Sequence, residues 1–127
     1  MKKQINKIMI TLCGALLIGC NSGGGSILTP SITLSITPQT CSINSNSSVT
    51  TSLSGINTND WYYYGSSLES NGTYTAKTSP QSASSNSASD TLTCSQISNK
   101  TGLYYVMAND ITQNNTTSNP VSVLVTP

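Results

Sequence analysis

The sequence predicts an all-β fold, a β-sandwich of about seven short antiparallel strands. Apolar and polar residues alternate in short runs, which is the period of a half-buried strand, and turn residues separate these runs. Ser, Thr and Asn make up nearly half of residues 20–127, and they are poor residues inside helices. Disorder is the alternative for so polar a chain, but the clustering of its apolar residues argues against it.

The first strands are predicted from alternation and end at turn residues. Residues 32–36 alternate apolar and polar, and Pro38 ends the run. Residues 49–53 form a weaker candidate, because two threonines interrupt the alternation. A turn-rich stretch then leads to residues 61–64, whose four aromatic side chains favour a strand.

The second half of the chain continues in the same way. The tight-turn signal Asn71-Gly72 precedes a short edge strand at residues 73–76, and residues 79–90 are predicted to be a polar loop. A long polar hairpin loop is predicted at residues 109–119. The remaining strands are predicted at residues 91–97, 103–108 and 121–125.

The N-terminus has the three zones of an export signal. Lysines occupy its start, residues 8–18 are apolar, and the small residue Gly19 precedes Cys20. The apolar run is too short for a membrane-spanning helix, which needs about 20 residues. A buried helix ending in cysteine is the alternative, but the Gly/Ser-rich residues 21–26 suit a flexible tether better.

The run Leu17-Ile18-Gly19-Cys20 resembles the lipobox of bacterial lipoproteins. The resemblance implies that residues 1–19 are a signal peptide and that Cys20 becomes the first residue, lipidated by palmitate-type acyl chains. Residues 20–30 would then be the lipidated tether that holds the protein to a membrane. In Gram-negative sorting, Asn21 in place of aspartate implies the outer membrane.

Cysteine usage predicts one disulfide. In the lipoprotein interpretation Cys13 lies in the signal peptide and Cys20 carries the lipid, which leaves Cys41 and Cys94. An even pair in an exported domain indicates a disulfide, and two free thiols are the alternative. Closing so long a loop stabilises a domain by about 4 kcal/mol.

Three segments together resemble an immunoglobulin-like domain spanning residues 31–127. Residues 61–65 resemble its strand C, residues 91–94 its strand E, and residues 102–108 its strand F. The resemblance implies that Trp61 lies in the core. It also implies that Tyr104 is the corner tyrosine, with its hydroxyl bonded to nearby backbone.

The chain departs from the immunoglobulin pattern at its cysteines. Leu53 and Val106 occupy the positions of the usual inter-sheet disulfide and keep the core apolar. The pair Cys41 and Cys94 would instead tie the region between strands A and B to strand E.

Catalytic chemistry is not expected, so the protein is predicted not to be an enzyme. The chain has no histidine, which excludes Ser-His-Asp and Cys-His arrangements. Asp60 and Glu69 could form a carboxylate pair, but each is more simply a solvated turn residue.

Metal, cofactor and nucleic-acid binding are not expected either. Asp110 with Asn109, Asn114 and Asn115 offers oxygen atoms to Ca²⁺, but one carboxylate among neutral amides favours a plain polar loop. After the signal, two lysines stand against four carboxylates, a side-chain charge of −2. Nucleic acid needs clustered Lys and Arg, which this segment lacks.

The candidate binding face is aromatic. Successive side chains of a strand point to opposite faces of the sheet. If Trp61 points inward, Tyr62 and Tyr64 therefore point outward. The same argument on the next strand of that sheet, with Tyr104 inward, turns Tyr105 and Met107 outward. The predicted face therefore consists of Tyr62, Tyr64, Tyr105 and Met107. Tyrosine-rich surfaces suit protein or sugar recognition, and cross-strand pairing that stiffens the sheet is the alternative.

These observations predict a non-enzymatic envelope lipoprotein, periplasmic or surface-exposed, with an adhesion-type module. Its partners would be the membrane, through Cys20, and an envelope or host protein or glycan. The alternative is a structural or accessory lipoprotein subunit of a larger envelope assembly.

Overall fold

The computed structural model describes residues 31–127, and the predicted signal, lipobox and tether lie outside this range. Within it the chain forms ten strands and one short helix. The elements are β1 (Thr33–Thr37), β2 (Thr40–Ser42), β3 (Ser48–Ser54), β4 (Trp61–Ser67), β5 (Thr75–Ala76), β6 (Gln81–Ser82), β7 (Ser87–Thr93), α1 (Cys94–Ile97), β8 (Gly102–Asp110), β9 (Thr116–Thr117) and β10 (Val121–Thr126).

Two sheets pack into a β-sandwich, which confirms the predicted fold class. The three-stranded sheet has the order β1-β3-β7. The seven-stranded sheet has the order β2-β10-β8-β4-β5, with β6 paired to β4 and β9 paired to β8. Every pairing is antiparallel except that of β10 with β2. The chain changes sheet between β1 and β2, next to the cis peptide bond before Pro38.

Alternation of apolar residues builds the core between the sheets. On β3, Val49, Thr51 and Leu53 are buried while their neighbours are exposed, and β1 has the same pattern. On β8 and β10 of the other sheet, valines and alanine face inward at every second position. Leu53 and Val106, the expected replacements for an inter-sheet disulfide, are both buried in this core.

The predicted strand at residues 91–97 is wrong in its bounds. Strand β7 begins earlier, at Ser87 inside the predicted loop, and ends at Thr93, where helix α1 starts. The Thr93 side chain accepts from the Gln96 backbone N–H, and the Gln96 side chain accepts from the Thr93 backbone N–H. This capping box turns a sequence with apolar alternation into one turn of helix.

The predicted disulfide is confirmed. Cys41 of β2 and Cys94 of α1 are bonded, with their Cα atoms 5.6 Å apart. Both residues are buried. The bond therefore joins the seven-stranded sheet, through its edge strand β2, to the end of β7 in the three-stranded sheet.

Candidate functional site

Strand β4 faces the opposite way from the prediction. Trp61, expected in the core, is 49 % exposed, whereas Tyr62 is 3 % and Tyr64 0 % exposed. The predicted binding face is therefore wrong for Tyr62 and Tyr64. Their inward direction is fixed by hydrogen-bond partners on the other sheet, which a tryptophan at these positions could not use in the same way.

Asp90 of β7 is the main partner of the two buried tyrosines. Its Oδ2 accepts hydrogen bonds from the Tyr62 hydroxyl at 2.8 Å and from the Tyr64 hydroxyl at 2.9 Å. Thr51 donates to the Tyr64 hydroxyl at 3.0 Å, and Gln81 donates to the Tyr62 hydroxyl at 3.1 Å. The two rings pack edge to face, with centroids 5.8 Å apart.

Burial raises the pKa of both Tyr62 and Tyr64 far above the ordinary value for tyrosine, and the nearby Asp90 carboxylate adds to the rise. Both hydroxyls therefore stay protonated and act as donors. These two residues form part of the core and present no surface to a partner.

Tyr105 and Met107 do lie on the outer side of β8, where both are half-buried. The register of β4 against β8 places Gly65 opposite Met107 and Tyr63 opposite Asn109. Trp61 and Tyr63 point outward on β4. We call the five large outward side chains of this region the outer aromatic face: Trp61, Tyr63, Tyr74, Tyr105 and Met107.

Gly65 leaves a hollow in the outer aromatic face. Its volume is about 240 Å³, and it is lined by Tyr63, Gly65, Tyr74, Met107, Asn109 and Thr117. A Cβ atom added to Gly65 would come within 3.3 Å of the Tyr74 Cβ and 3.2 Å of a backbone oxygen. Glycine at this position therefore lets Tyr74 lie close against the sheet.

Hydrogen bonds hold the walls of the hollow in place. The Asn109 side-chain amide donates to the Tyr63 hydroxyl at 3.0 Å, and the Tyr74 hydroxyl donates to the Ser70 carbonyl at 2.8 Å. Burial raises the pKa of Tyr74, and the neighbouring Tyr105 hydroxyl raises it further. Oδ1 of Asn109 is buried and has no hydrogen-bond partner among the described residues.

The lining of the hollow carries no charged side chain. It offers the faces of tyrosine rings, a thioether, a hydroxyl and an amide. Such a surface matches an uncharged ligand that has an apolar face and polar edges. Sequence reasoning missed Tyr63 and Tyr74 and considered Asn109 only as a possible calcium ligand. The glycine that follows the aromatic run on β4 was the available signal for a gap beside them.

A larger hollow of about 410 Å³ lies where β4 and β7 approach each other, and Lys77, Gln81, Asp90 and Gln96 are among its lining residues. Asp90 is already engaged by two tyrosine hydroxyls there. The outer aromatic face is therefore the better candidate for ligand binding.

Two other sequence-based expectations have mixed outcomes. Tyr104 is buried as expected, but its hydroxyl makes no hydrogen bond within residues 31–127, unlike a corner tyrosine. Asp60 does not pair with Glu69, which is exposed. Asp60 is buried and lies beside Asp110, so it is not the solvated turn residue that was expected. In the described part of the chain, no group of three or more His, Cys, Asp or Glu side chains converges.

The predicted lipidation site, Cys20, lies outside the described residues. Among residues 31–127, no helix has the length and apolar character needed to cross a membrane. Compared with protein-family models, with curated proteins and with solved structures, the chain has no significant match.

Proposed function

We propose that this chain is a lipid-anchored, non-enzymatic envelope protein whose immunoglobulin-like domain recognises a protein or glycan through its outer aromatic face. The lipobox at residues 17–20 supports the anchor, and Asn21 supports the outer membrane as its location. The tether that follows would let the domain reach a partner at some distance from the membrane surface.

The strand order supports the immunoglobulin-like part of the proposal. In such domains strands A, B and E share one sheet, and strands G, F and C share the other. Here β1, β3 and β7 occur together, and β10, β8 and β4 occur together in the matching order. Strand β2 beside β10 would correspond to a second half of strand A that has changed sheet.

The observation that carries the proposal is the neutral aromatic hollow over Gly65. Tyrosines give contact area at low entropic cost, because each has few rotatable bonds. The volume of the hollow, about 240 Å³, suits one ring of a sugar or one side chain of a protein loop. The outward Trp61, half exposed above it, extends the aromatic surface toward the end of the sandwich.

The test measures how much ligand is captured by the full-length protein in mild detergent and by its double variant Tyr63→Ala/Met107→Ala. Immobilised protein is incubated with a glycan array and with envelope and host-cell protein extracts. We expect capture of the wild-type ligand to fall at least tenfold, since aromatic anchors commonly carry interface energy.

The matched control is Leu68→Ala, which removes a 68 % exposed side chain from a turn outside the outer aromatic face. Circular dichroism must show that all variants keep the β-sheet signal. Unchanged capture by a folded Tyr63→Ala/Met107→Ala protein would refute this function for the face.

The accessory-subunit alternative is favoured by a different pair of side chains. Leu103 and Leu124 lie directly opposite each other on β8 and β10 and are 48 % and 43 % exposed. An exposed apolar pair of this kind suits contact with another protein. Protease treatment of intact cells followed by co-purification separates the two functions: an adhesion module is cleaved from outside, and a subunit co-purifies with its assembly.

A further inference from the structure

Two carboxylates that are far apart in sequence meet at one end of the sandwich. Asp60 directly precedes β4, and Asp110 is the last residue of β8. The antiparallel register pairs Tyr62 with Asp110, which brings the start of β4 to the end of β8. Asp60 is 7 % and Asp110 1 % exposed. Half of the acidic side chains in the described chain are therefore buried at this one place.

Each carboxylate closes a turn, and Gln113 links the two. Asp60 Oδ2 accepts from the Asn57 backbone N–H at 3.3 Å and from the Gln113 side-chain amide at 2.9 Å. Asp110 Oδ1 accepts from the backbone N–H groups of Thr112 at 2.9 Å and Gln113 at 3.0 Å. The turns at residues 57–60 and 110–113 are thereby held next to each other and next to the two carboxylates.

The second oxygen of Asp110 is left without a partner. Asp110 Oδ2 is buried and accepts no hydrogen bond from any of the described residues. The carboxyl groups of Asp60 and Asp110 lie within hydrogen-bonding reach of each other. A buried carboxylate oxygen with no donor, facing another carboxylate, is costly unless a cation or a shared proton lies between them.

Among residues 31–127, no side chain supplies a positive charge to the pair. Lys77 and Lys100 are the two basic residues after the signal, and neither donates to Asp60 or Asp110 within the described structure. Within residues 31–127, the two facing carboxyl groups therefore have no basic side chain bonded to them.

We propose that Asp60 and Asp110 bind a divalent metal ion, with Ca²⁺ as the best match. Asp110 Oδ2 and the Asp60 carboxylate supply hard, negatively charged oxygen ligands, which Ca²⁺ prefers. No His or Cys side chain is present at the pair, which disfavours softer metals such as zinc. The ion neutralises both charges and satisfies the oxygen that has no donor.

Gln113 is the third ligand. Its amide now donates a hydrogen bond to Asp60. Rotation about its last side-chain bond exchanges the amide nitrogen for the oxygen with almost no change of shape. The oxygen then faces the ion, while the Gln113 backbone N–H keeps its bond to Asp110. Ca²⁺ tolerates such irregular ligand sets and completes them with water or carbonyl oxygens.

The ion would fasten the two turns at the Trp61 end of the sandwich. Residues 57–60 and 110–113 supply its ligands, and the Trp61 backbone N–H already donates to the Thr112 hydroxyl at 2.8 Å. For an exported domain the expected affinity is that of extracellular modules, with a dissociation constant on the order of 10⁻⁴–10⁻³ M. The site stands independently of ligand capture by the outer aromatic face.

The first test is thermal unfolding of the full-length protein at neutral pH, with 5–10 mM CaCl₂ (about tenfold above the expected dissociation constant) or with EDTA. We expect calcium to raise the melting temperature by about 4 °C or more, since it binds only the folded state. The variants Asp110→Asn and Asp60→Asn should lose this response. Glu69→Gln, which removes one exposed charge elsewhere, should keep it.

The second test measures metal binding directly. Tb³⁺ replaces Ca²⁺ at oxygen sites and luminesces when a nearby tryptophan is excited, and Trp61, the sole tryptophan, follows Asp60. We expect Tb³⁺ luminescence in the wild type, displaced by Ca²⁺ and absent from Asp110→Asn. Equal melting temperatures in calcium and EDTA, together with no calcium-displaceable luminescence, would overturn the proposal and indicate that the pair shares a proton.

Discussion

Asp90 connects the two sheets through a single oxygen atom. Its Oδ2 accepts from Tyr62 and Tyr64, and its backbone N–H donates to the Thr51 hydroxyl on the neighbouring strand. A domain with few large aliphatic side chains thus fills its centre with tyrosine rings. Because each buried hydroxyl has a partner, the polar ends of these rings cost little.

This arrangement predicts a specific response to alkali. In the unfolded chain, Tyr62 and Tyr64 lose their hydroxyl protons near pH 10. Because the pKa values of both residues are raised in the folded protein, the folded state keeps these protons at that pH. Their contribution to stability is therefore present below about pH 10 and is lost as the pH rises further. In a titration followed at 295 nm, the absorbance of these two phenols should rise only together with loss of the β-sheet signal.

The control for the alkaline titration is Tyr62→Phe/Tyr64→Phe, which should lose that late absorbance step. Ionisation of all six tyrosines of the wild type before any loss of sheet signal would contradict the prediction.

At the residue scale, the sequence showed which kinds of residue fill the core better than it showed which side chains of a strand point inward. The run of four aromatic residues at 61–64 has no polar member, so its alternation contains no information about which side faces inward. The placement of Trp61 in the core followed from the resemblance of residues 61–65 to strand C of an immunoglobulin-like domain. The partners that decide the direction, Thr51 and Asp90, lie on other strands and cannot be identified from the run itself.

The elements most dependent on the disulfide are β2 and α1. Strand β2 has three residues and a single parallel neighbour, and α1 is one turn long. Neither is long enough to be stable alone, since isolated short helices and strands are marginal in water. The bond between Cys41 and Cys94 fixes both and closes a loop with a sequence separation of 53 residues.

Replacing both cysteines by alanine should therefore lower the free energy of unfolding by about 2–5 kcal/mol. In a domain of this size that corresponds to a fall in melting temperature of about 10 °C or more. Differential scanning calorimetry with and without reductant measures the effect. Reductant should destabilise the wild type and leave Cys41→Ala/Cys94→Ala unchanged, and equal melting temperatures for oxidised and reduced wild type would contradict this.

At the element scale, strands with enough apolar residues were predictable and the others were not. Strands β1 and β10 have apolar residues at every second position and β8 contains a continuous apolar run, so the sequence locates all three. In β3, Thr51 occupies a core position and weakens the pattern, and the first half of β7 is so polar that it was predicted to be a loop. Strands β6 and β9 have two residues each, which is too few for any period. They exist because β4 and β8 leave hydrogen-bonding groups that passing loops can use.

For the whole molecule, the antiparallel pairing of β4 with β8 determines both candidate sites. The pairing places Gly65 opposite Met107, which opens the hollow. It also brings Asp110 next to Asp60, the residue before β4. Asp60 and Asp110 each look like an ordinary loop carboxylate in the sequence. Their proximity is a property of the fold, which is why sequence analysis considered them separately.

In the proposed function, the lipid anchor on Cys20 determines whether the whole molecule can act at the envelope. Buried acyl chains contribute about 0.8 kcal/mol per methylene, and two or more chains are needed for stable attachment. The described domain would otherwise depend on exposed leucines and a small negative charge, which favour no stable association with an anionic membrane. Attachment should therefore depend entirely on Cys20.

Cys20→Ser should abolish lipidation and leave the protein either soluble after export or uncleaved with its signal attached. The wild type should partition into detergent, incorporate labelled palmitate and lack residues 1–19 by mass, because processing at a lipobox follows lipid transfer to the cysteine. The matched control is Cys13→Ser, which removes a thiol from the apolar run and should leave palmitate labelling unchanged. A Cys20→Ser protein that stays labelled and membrane-bound like the wild type would contradict the anchor, and with it the proposed place of action of the outer aromatic face.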